Sequence, residues 1–471
     1  MTRLYFTRVL RYFSNAMYKC VIFIITVGFV YESISWYFRI RRSISWIEKE
    51  RSVTNRIVEN QGKIYILIPV LSEEDILGDT VCYFSSNFLV KQDDVILVIV
   101  TTERENILTG SSFNTIDLVK DLVSKYQKVI HVHSPEKNGK MAHQLNYGVR
   151  KLIHDGKLSS GKDMIVIYNA DSRPEKETFD WVQKKSREGI SSVYQQYGCY
   201  LGNISHIDHV SWSSVLLSGS LWQTRWAIGF EIYNALKQFK FVHDIKNLKM
   251  NYPFNYCIGH GLFITRDVFE RVGGFSENTH NEDAILGLQL SDIQEIIMPI
   301  PYFDISESPD TLTMLYRQKS NWYFGPLQSY QYMMFILSKS RYGIFRKARL
   351  LLLSTKLFLH AVFWIAGPTL MLLSLILAFS YNDVWLFVFS LLSLMLFAMP
   401  SIISYAFVYK LKVSQSSISI LKMINKLIVG FFICYLFHGI SAYNGLYRYI
   451  IQILSGKYAL KNKTIIHRLK K

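Results

Sequence analysis

Two short acidic segments, far apart in the chain, carry residue types suited to different halves of one reaction. In MIVIYNADSRP an apolar run ends in Asn169-Ala170-Asp171, with Pro174 stopping its continuation. An Asp at such a strand end can hold a hard cation such as Mg or Mn through oxygen. In HNEDAILGLQLS, Glu282 and Asp283 open a helix-like pattern that places Ile285, Leu286, Leu288 and Leu290 on or near the buried side. A carboxylate at that position is a candidate general base for a hydroxyl. Each segment alone also has an ordinary structural reading, as a turn former or helix cap in the first case and as a partner of the helix macrodipole in the second. A displacement that expels a diphosphate and consumes a hydroxyl needs both, one group to meet the departing charge and one to take the proton.

Two further segments could serve the same chemistry. In CIGHGLFITRDVFERVGGF, Gly259 and Gly261 flank His260 and allow backbone to approach a ligand closely, so His260 is a candidate for a metal or a diphosphate, with a structural turn as the alternative. The segment TMLYRQKSNWYFG offers Arg317 and Lys319 for phosphate charge, Gln318 for hydrogen bonding and Trp322 as a flat face for a sugar ring. The same pattern fits an interfacial helix with snorkelling cations and belt aromatics, and the two readings are compatible.

These residues need a scaffold, and the apolar runs IYILIPV, DVILVIV, KVIHVHS and DMIVIYNA supply one between about Ile64 and Asp304. Short apolar runs separated by helical or polar stretches predict an α/β domain with buried, mostly parallel strands. Ligands in such sheets bind at the carboxyl ends of the strands, where Pro69 and Asp171 fall.

Outside this region the chain is apolar. Of its 471 residues, 50% are hydrophobic and 15% aromatic, too many for an ordinary soluble enzyme. Cys20–Phe38 predicts a retained transmembrane anchor, preceded by an interfacial segment carrying Arg3, Arg8 and Arg11 and followed by Arg39, Arg41 and Arg42. Leu350–Phe379, Val384–Val408 and Leu427–Leu454 are each long enough to span, the last expected to break near His438-Gly439.

The net charge of +17 is uneven, since the only acidic residue after Asp310 is Asp383. Basic residues flanking apolar runs point to a bilayer, and no recognition motif accompanies them, which argues against nucleic acid. Lys410, Lys412, Lys422 and Lys426 place their loop, and with it the α/β domain, in the cytoplasm under the positive-inside rule. A third C-terminal span would carry the basic tail outside, against that rule. Five scattered cysteines indicate neither zinc nor a disulfide framework. The expected organisation is residues 1–45 as interfacial segment and anchor, 60–325 as catalytic domain, 326–349 as interfacial helix, 350–454 as membrane region and 455–471 as basic tail.

In order, IPVLSEED, GKMAHQLNYG, NADSRP, GHGLFITRDVFERVGGF, NEDAILG and RQKSNW resemble the successive motifs of the family-2 inverting glycosyltransferases. The resemblance covers roughly Ile64 to Gly325 and is nearest to their membrane-integrated branch, which includes cellulose, hyaluronan and chitin-oligosaccharide synthases and ceramide glucosyltransferase. It implies a GT-A fold, a nucleotide-sugar donor of the UDP type, a divalent cation (Mg or Mn) and a polysaccharide or membrane-lipid acceptor. On that basis Pro69 to Asp75, including Glu73, would shape the nucleotide pocket, Lys140 and Asn146 would line the donor site, and Asp171 would hold the metal, with Asn169 beside it a further donor-site candidate and His260, from its own turn, a further metal candidate. Asp283, next to Glu282, would act as the base, giving inversion. Gln318 and Trp322 match the ends of a Q-x-x-R-W motif that closes over diphosphate and acceptor.

Three departures stand out. Val100-Thr101-Thr102-Glu103 replaces the Asp that usually meets uracil, leaving Glu103 or Glu105 to substitute. The D-x-D pair is reduced to Asn169 and Asp171, and the motif's Arg is Asn321. They motivate an alternative, a catalytically degenerate membrane partner of an active synthase. With four spans at most there is little room for a polymer channel in one copy, so a small lipid acceptor is expected as much as a long polymer unless the protein oligomerises.

Overall fold

A computed structural model describes residues 2–53, 62–105, 115–244, 257–338, 343–413 and 418–455, the side chains of 2–15 and 241–244 excepted. The basic tail lies outside the described residues. The four expected strands form as β1 (Ile64–Pro69), β2 (Val95–Thr102), β3 (Val129–Ser134) and β4 (Met164–Ile167), all mutually parallel. The sheet is more mixed than its apolar runs predict. After the short β5 (Arg173–Pro174), strands β6 (Val193–Cys199), β7 (Leu262–Thr265) and β8 (Ile297–Ile305) complete eight strands in the order β3-β2-β1-β4-β7-β6-β8-β5.

β7 runs antiparallel to β4 and β6, and β5 antiparallel to β8. Pro174 does end β4's run, but it then joins the sheet edge opposite Asp304, where a residue without an N–H is tolerated. The domain is α/β as expected, with side chains such as Ile66, Ile99 and Val166 buried on one face of the sheet and Leu67, Val98 and Ile165 on the other.

Among the described residues four helices are long and apolar enough to cross a membrane: Ala16–Ser52, Ile344–Ser380, Val384–Lys410 and Ile420–Ser455. Two expectations change. The N-terminal segment and anchor are one continuous helix, Thr2–Ser52, with no boundary at residue 19 or 45. The last helix runs unbroken through His438-Gly439. Gly439 serves contact there, since a Cβ on it would lie 2.9 Å from the Pro368 side chain, so the glycine admits the neighbouring helix.

A helical segment that the apolar-run pattern does not reveal, Ser213–Trp226 continuing through a π-helical turn (Ala227–Ile232) into Tyr233–Asp244, packs between sheet and spans. Gly430 meets it so closely that a Cβ would clash with the Ser214 carbonyl.

Ion pairs at the sheet end fasten the long helices to the α/β domain. Arg51 donates two bonds to Glu175, at 3.0 and 2.5 Å, and a third to the Pro301 carbonyl at 2.8 Å. Arg346 holds buried Asp292 bidentately at 2.8 and 2.6 Å, while Lys422 and Lys426 pair with Asp208. Lys410 reaches Glu48 at 3.1 Å. Several cations that read as membrane-loop charges are thus also structural fasteners.

Candidate active site

A cavity of about 1620 Å³ opens beside the carboxyl ends of β1 and β4 and extends between the long helices. Its walls bring together Pro69, Glu73, Asn169, Asp171, His260, Glu282, Asp283, Gln318 and Trp322. Local sequence explains each placement. Pro69 ends β1, and Ser72 at φ 54° turns the chain so that Glu73 precedes the helix Glu74–Phe84. Asn169 and Asp171 follow β4 in a tight turn closed by the Ser172 N–H on the Asn169 carbonyl at 3.1 Å.

Gly261 has φ +66°, and a Cβ on it would stand 2.6 Å from the Gln196 carbonyl. Only glycine can carry the chain through this bend into β7, and the bend turns His260 inward. Asp283 lies in the first turn of the helix Glu282–Asp292, where the macrodipole favours a negative charge. Its Oδ2 would lie 3.3 Å from a Cβ at Gly259, so that glycine keeps the carboxylate uncrowded.

Electrostatically this end of the cavity is acidic. Burial, with the charges of Asp304, Glu73 and Glu307 against that of His260, pushes the Asp171 carboxyl up to about 6. A carboxylate crowded by carboxylates gains from a cation. Among the described residues no three His, Cys, Asp or Glu side chains cluster closely enough to hold a metal by themselves. The arrangement suits a divalent ion shared with substrate phosphates, as Mg commonly is, and not an all-protein cage.

His260 is committed on one side, its Nδ1 lying 2.7 Å from Asp304 Oδ2, with Tyr200 Oη 3.5 Å from Nε2. Burial lowers its pKa, but the hydrogen bond and charge of Asp304 outweigh this and raise it. A histidine that retains its proton suits a diphosphate better than a metal.

Trp322 is 37% exposed at the wall, tilted against Tyr200 and under the Lys319 ammonium, which sits 4.6 Å from its ring centroid. Lys319 itself is buried, which lowers its pKa to about 8. Gln318 accepts a bond from Gln223 at 2.8 Å. Arg448 of the last long helix donates to Asn321 at 3.1 Å, so a guanidinium meets the position where the motif expects its own Arg.

Five expected residues are not brought to these walls. Asn146 spends its amide on the turn after Gly273-Gly274, donating to the Phe275 carbonyl and Glu277 and accepting from the Phe275 N–H, each within 2.9 Å. Lys140 caps the helix Met141–His154 and reaches the Thr279 carbonyl at 3.2 Å. Glu103 pairs with His133 at 3.2 Å beyond the end of β2, and Arg317 is exposed and does not line the cavity. Glu105 is buried against Thr115, accepting from its N–H and hydroxyl at 2.9 and 2.5 Å.

Conversely, Asp304 was missed. Fully buried, it accepts from Ser172 Oγ (2.7 Å), the Arg173 N–H (2.8 Å) and His260, tying the Asp171 turn to His260. Its signal in the sequence is a lone acid inside the apolar run IIMPIPYFDI, a costly position unless partnered.

Residues 222–409 match the model of glycosyl transferase family group 2. That segment contains His260, Glu282, Asp283, Gln318 and Trp322 together with two of the long helices. No curated protein is matched. Similar solved structures include a mannosyltransferase from Pyrobaculum calidifontis in complex with GDP-Man and Mn2+, at 12% identity and TM-score 0.44 over 91% of this chain and 99% of that one. Another is TarS residues 1–349 from S. aureus, at 12% identity and TM-score 0.37 over 84% and 92%. Over residues 222–409 the chain is thus similar to the family-2 glycosyltransferases, and its described residues include four helices of membrane-spanning length.

Proposed function

We propose that the protein transfers a sugar from a nucleotide-sugar donor, of the UDP type, to a polysaccharide or lipid acceptor with inversion, on the cytoplasmic face of the cell membrane. The observation that supports this reading is that Asp171, Asp283, Gln318 and Trp322, separated by 151 residues of chain, share one cavity wall.

Asp171 and the donor's own phosphates would hold a divalent cation, which when bound neutralises the departing diphosphate. Protonated His260 lends a further positive charge, held in direction by Asp304. Trp322 offers the sugar ring an apolar face, and Gln318 a hydrogen bond. Asp283 takes the proton of the acceptor hydroxyl as its oxygen bonds to the anomeric carbon. The bond from that carbon to the diphosphate breaks with its electron pair leaving on the nucleotide. Attack opposite the leaving group inverts the centre. The test is Asp283→Asn in the full-length protein with Mn or Mg and a panel of nucleotide sugars: transfer is expected to collapse, and undiminished transfer would exclude Asp283 as base.

A further inference from the structure

We infer that the acceptor is a membrane lipid with an anionic, hydroxyl-bearing headgroup, entering sideways between the helices Thr2–Ser52 and Ile344–Ser380. This rests on the transferase reading above and specifies its acceptor.

The cavity that holds Asp171 and Asp283 does not end at the sheet. It continues between the two helices as an apolar crevice walled by Ile24, Gly28, Phe29, Phe363 and Leu370. From Trp36 to Ile24 the first helix rises roughly 18 Å, a depth that takes much of one leaflet's acyl chains. The crevice is open laterally, for Ile24 and Phe363 line it and are 69% and 67% exposed. It does not run through to the far side. Beyond Ile24 the helices close, with Tyr18 stacked on Tyr381 at 3.8 Å between centroids, Lys19 paired with Asp383 at 3.3 Å, and Ile22 buried against Ala378. A slot closed at one end and open at its side suits the tail of a lipid better than a polymer in transit.

The charge at the junction selects the headgroup. Arg42, Lys237 and Lys356 line the same cavity and form no ion pair or hydrogen bond among the described residues. Arg39 meets Glu32 at only 4.0 Å. Unpaired cations between an acidic catalytic end and an apolar slot match a phosphate in the headgroup. With the phosphate there, a headgroup hydroxyl can point toward Asp283, give up its proton and bond to the anomeric carbon as the nucleoside diphosphate leaves.

The test uses full-length protein in nanodiscs of phosphatidylglycerol, which carries both phosphate and hydroxyls, or of phosphatidylcholine, with radiolabelled nucleotide sugars and Mn. Label is expected in the lipid extract at least tenfold above the phosphatidylcholine discs. Gly28→Trp fills the slot at a position where a Cβ meets nothing within 4 Å. It is expected to cut lipid labelling at least tenfold, with the donor Kd as the check on folding. Arg42→Gln with Lys356→Gln should raise the KM for lipid severalfold at constant kcat. Should Gly28→Trp lose donor binding, the double variant carries the test alone. Donor turnover that depends on Asp283 but sends label to water or a soluble polymer, or equal labelling in both discs, overturns the lipid assignment alone. No donor turnover in either disc overturns the transferase reading and this one with it.

Discussion

The two ends of the cavity are built on opposite principles. At the sheet end, carboxylates crowd together, Asp171 among Asp304, Glu73 and Glu307, and short hydrogen bonds through Asp304 hold them in place. At the membrane end the walls are apolar and exposed, Glu32 faces Arg39 at 4.0 Å, and the cations Arg42 and Lys356 form no ion pair among the described residues. Under the proposed function the first end would receive a cation and a diphosphate, with electrostatic repulsion kept in the folded state. The second is left open, with exposed apolar side chains such as Ile24 and Phe363 in place of packing. Chemistry demands rigidity where charge develops, whereas entry of an acceptor demands a gap.

If the acidic end performs the chemistry, Asp283→Asn should lower kcat by about 10²–10⁴ with little change in donor KM. An effect on KM alone would move the base elsewhere. Asp171→Asn should cost about 10²-fold in turnover through weaker cation and donor binding, seen as a rightward Mn titration.

Asp171 also links function to pH. Its carboxyl titrates near 6, above the ordinary 3.8, so the folded state holds this proton to higher pH than the unfolded chain and loses stability as pH rises between those values. With a chelator present, Asp171→Asn should therefore melt at or above the wild-type temperature at pH 7, the gap closing toward pH 4. In the wild type, apparent Mn affinity should fall about tenfold per pH unit below 6, because the ion must displace a proton. A flat dependence would place the cation elsewhere.

The joint between the two ends is the next point of attack. Asp292→Ala strips Arg346 and buried Arg349 of their shared carboxylate, at the end of the helix whose first turn carries Asp283. A loss of about 3–5 kcal/mol in stability is expected, measurable by chemical denaturation in detergent. Arg317→Ala should have the smallest effect, within about 0.5 kcal/mol, as an exposed side chain off the cavity wall. A large loss of donor affinity there would mean that the helix Leu312–Leu327 turns on binding.

Much of the fold was legible because strand runs and spans are local patterns. IYILIPV, DVILVIV, KVIHVHS and DMIVIYNA each became a parallel strand, and all four long apolar helices form. The antiparallel β7 and the edge pair β5–β8 were not, since pairing direction depends on where the chain returns. The segment Ser213–Trp226 escaped notice for a related reason. Buried nearly all round between sheet and spans, it shows no amphipathic stripe to read. Asn146 and Glu105 were misplaced because a polar residue in a motif looks the same whether it faces a ligand or satisfies a turn.

From motif order came the resemblance to a glycosyltransferase family, from apolar runs the helices of membrane length, and from residue type the candidacy of Asp171 and Asp283, since a metal-binding acid and a base are chemical requirements that such a sequence must meet somewhere. The meeting of those two acids in one cavity, the holding of His260 by Asp304, and the continuation of the cavity into a slot closed by Tyr18 and Tyr381 were decided by the tertiary structure. Each depends on which surfaces bury one another across long separations. That is a property of packing, to which no local pattern of side chains refers.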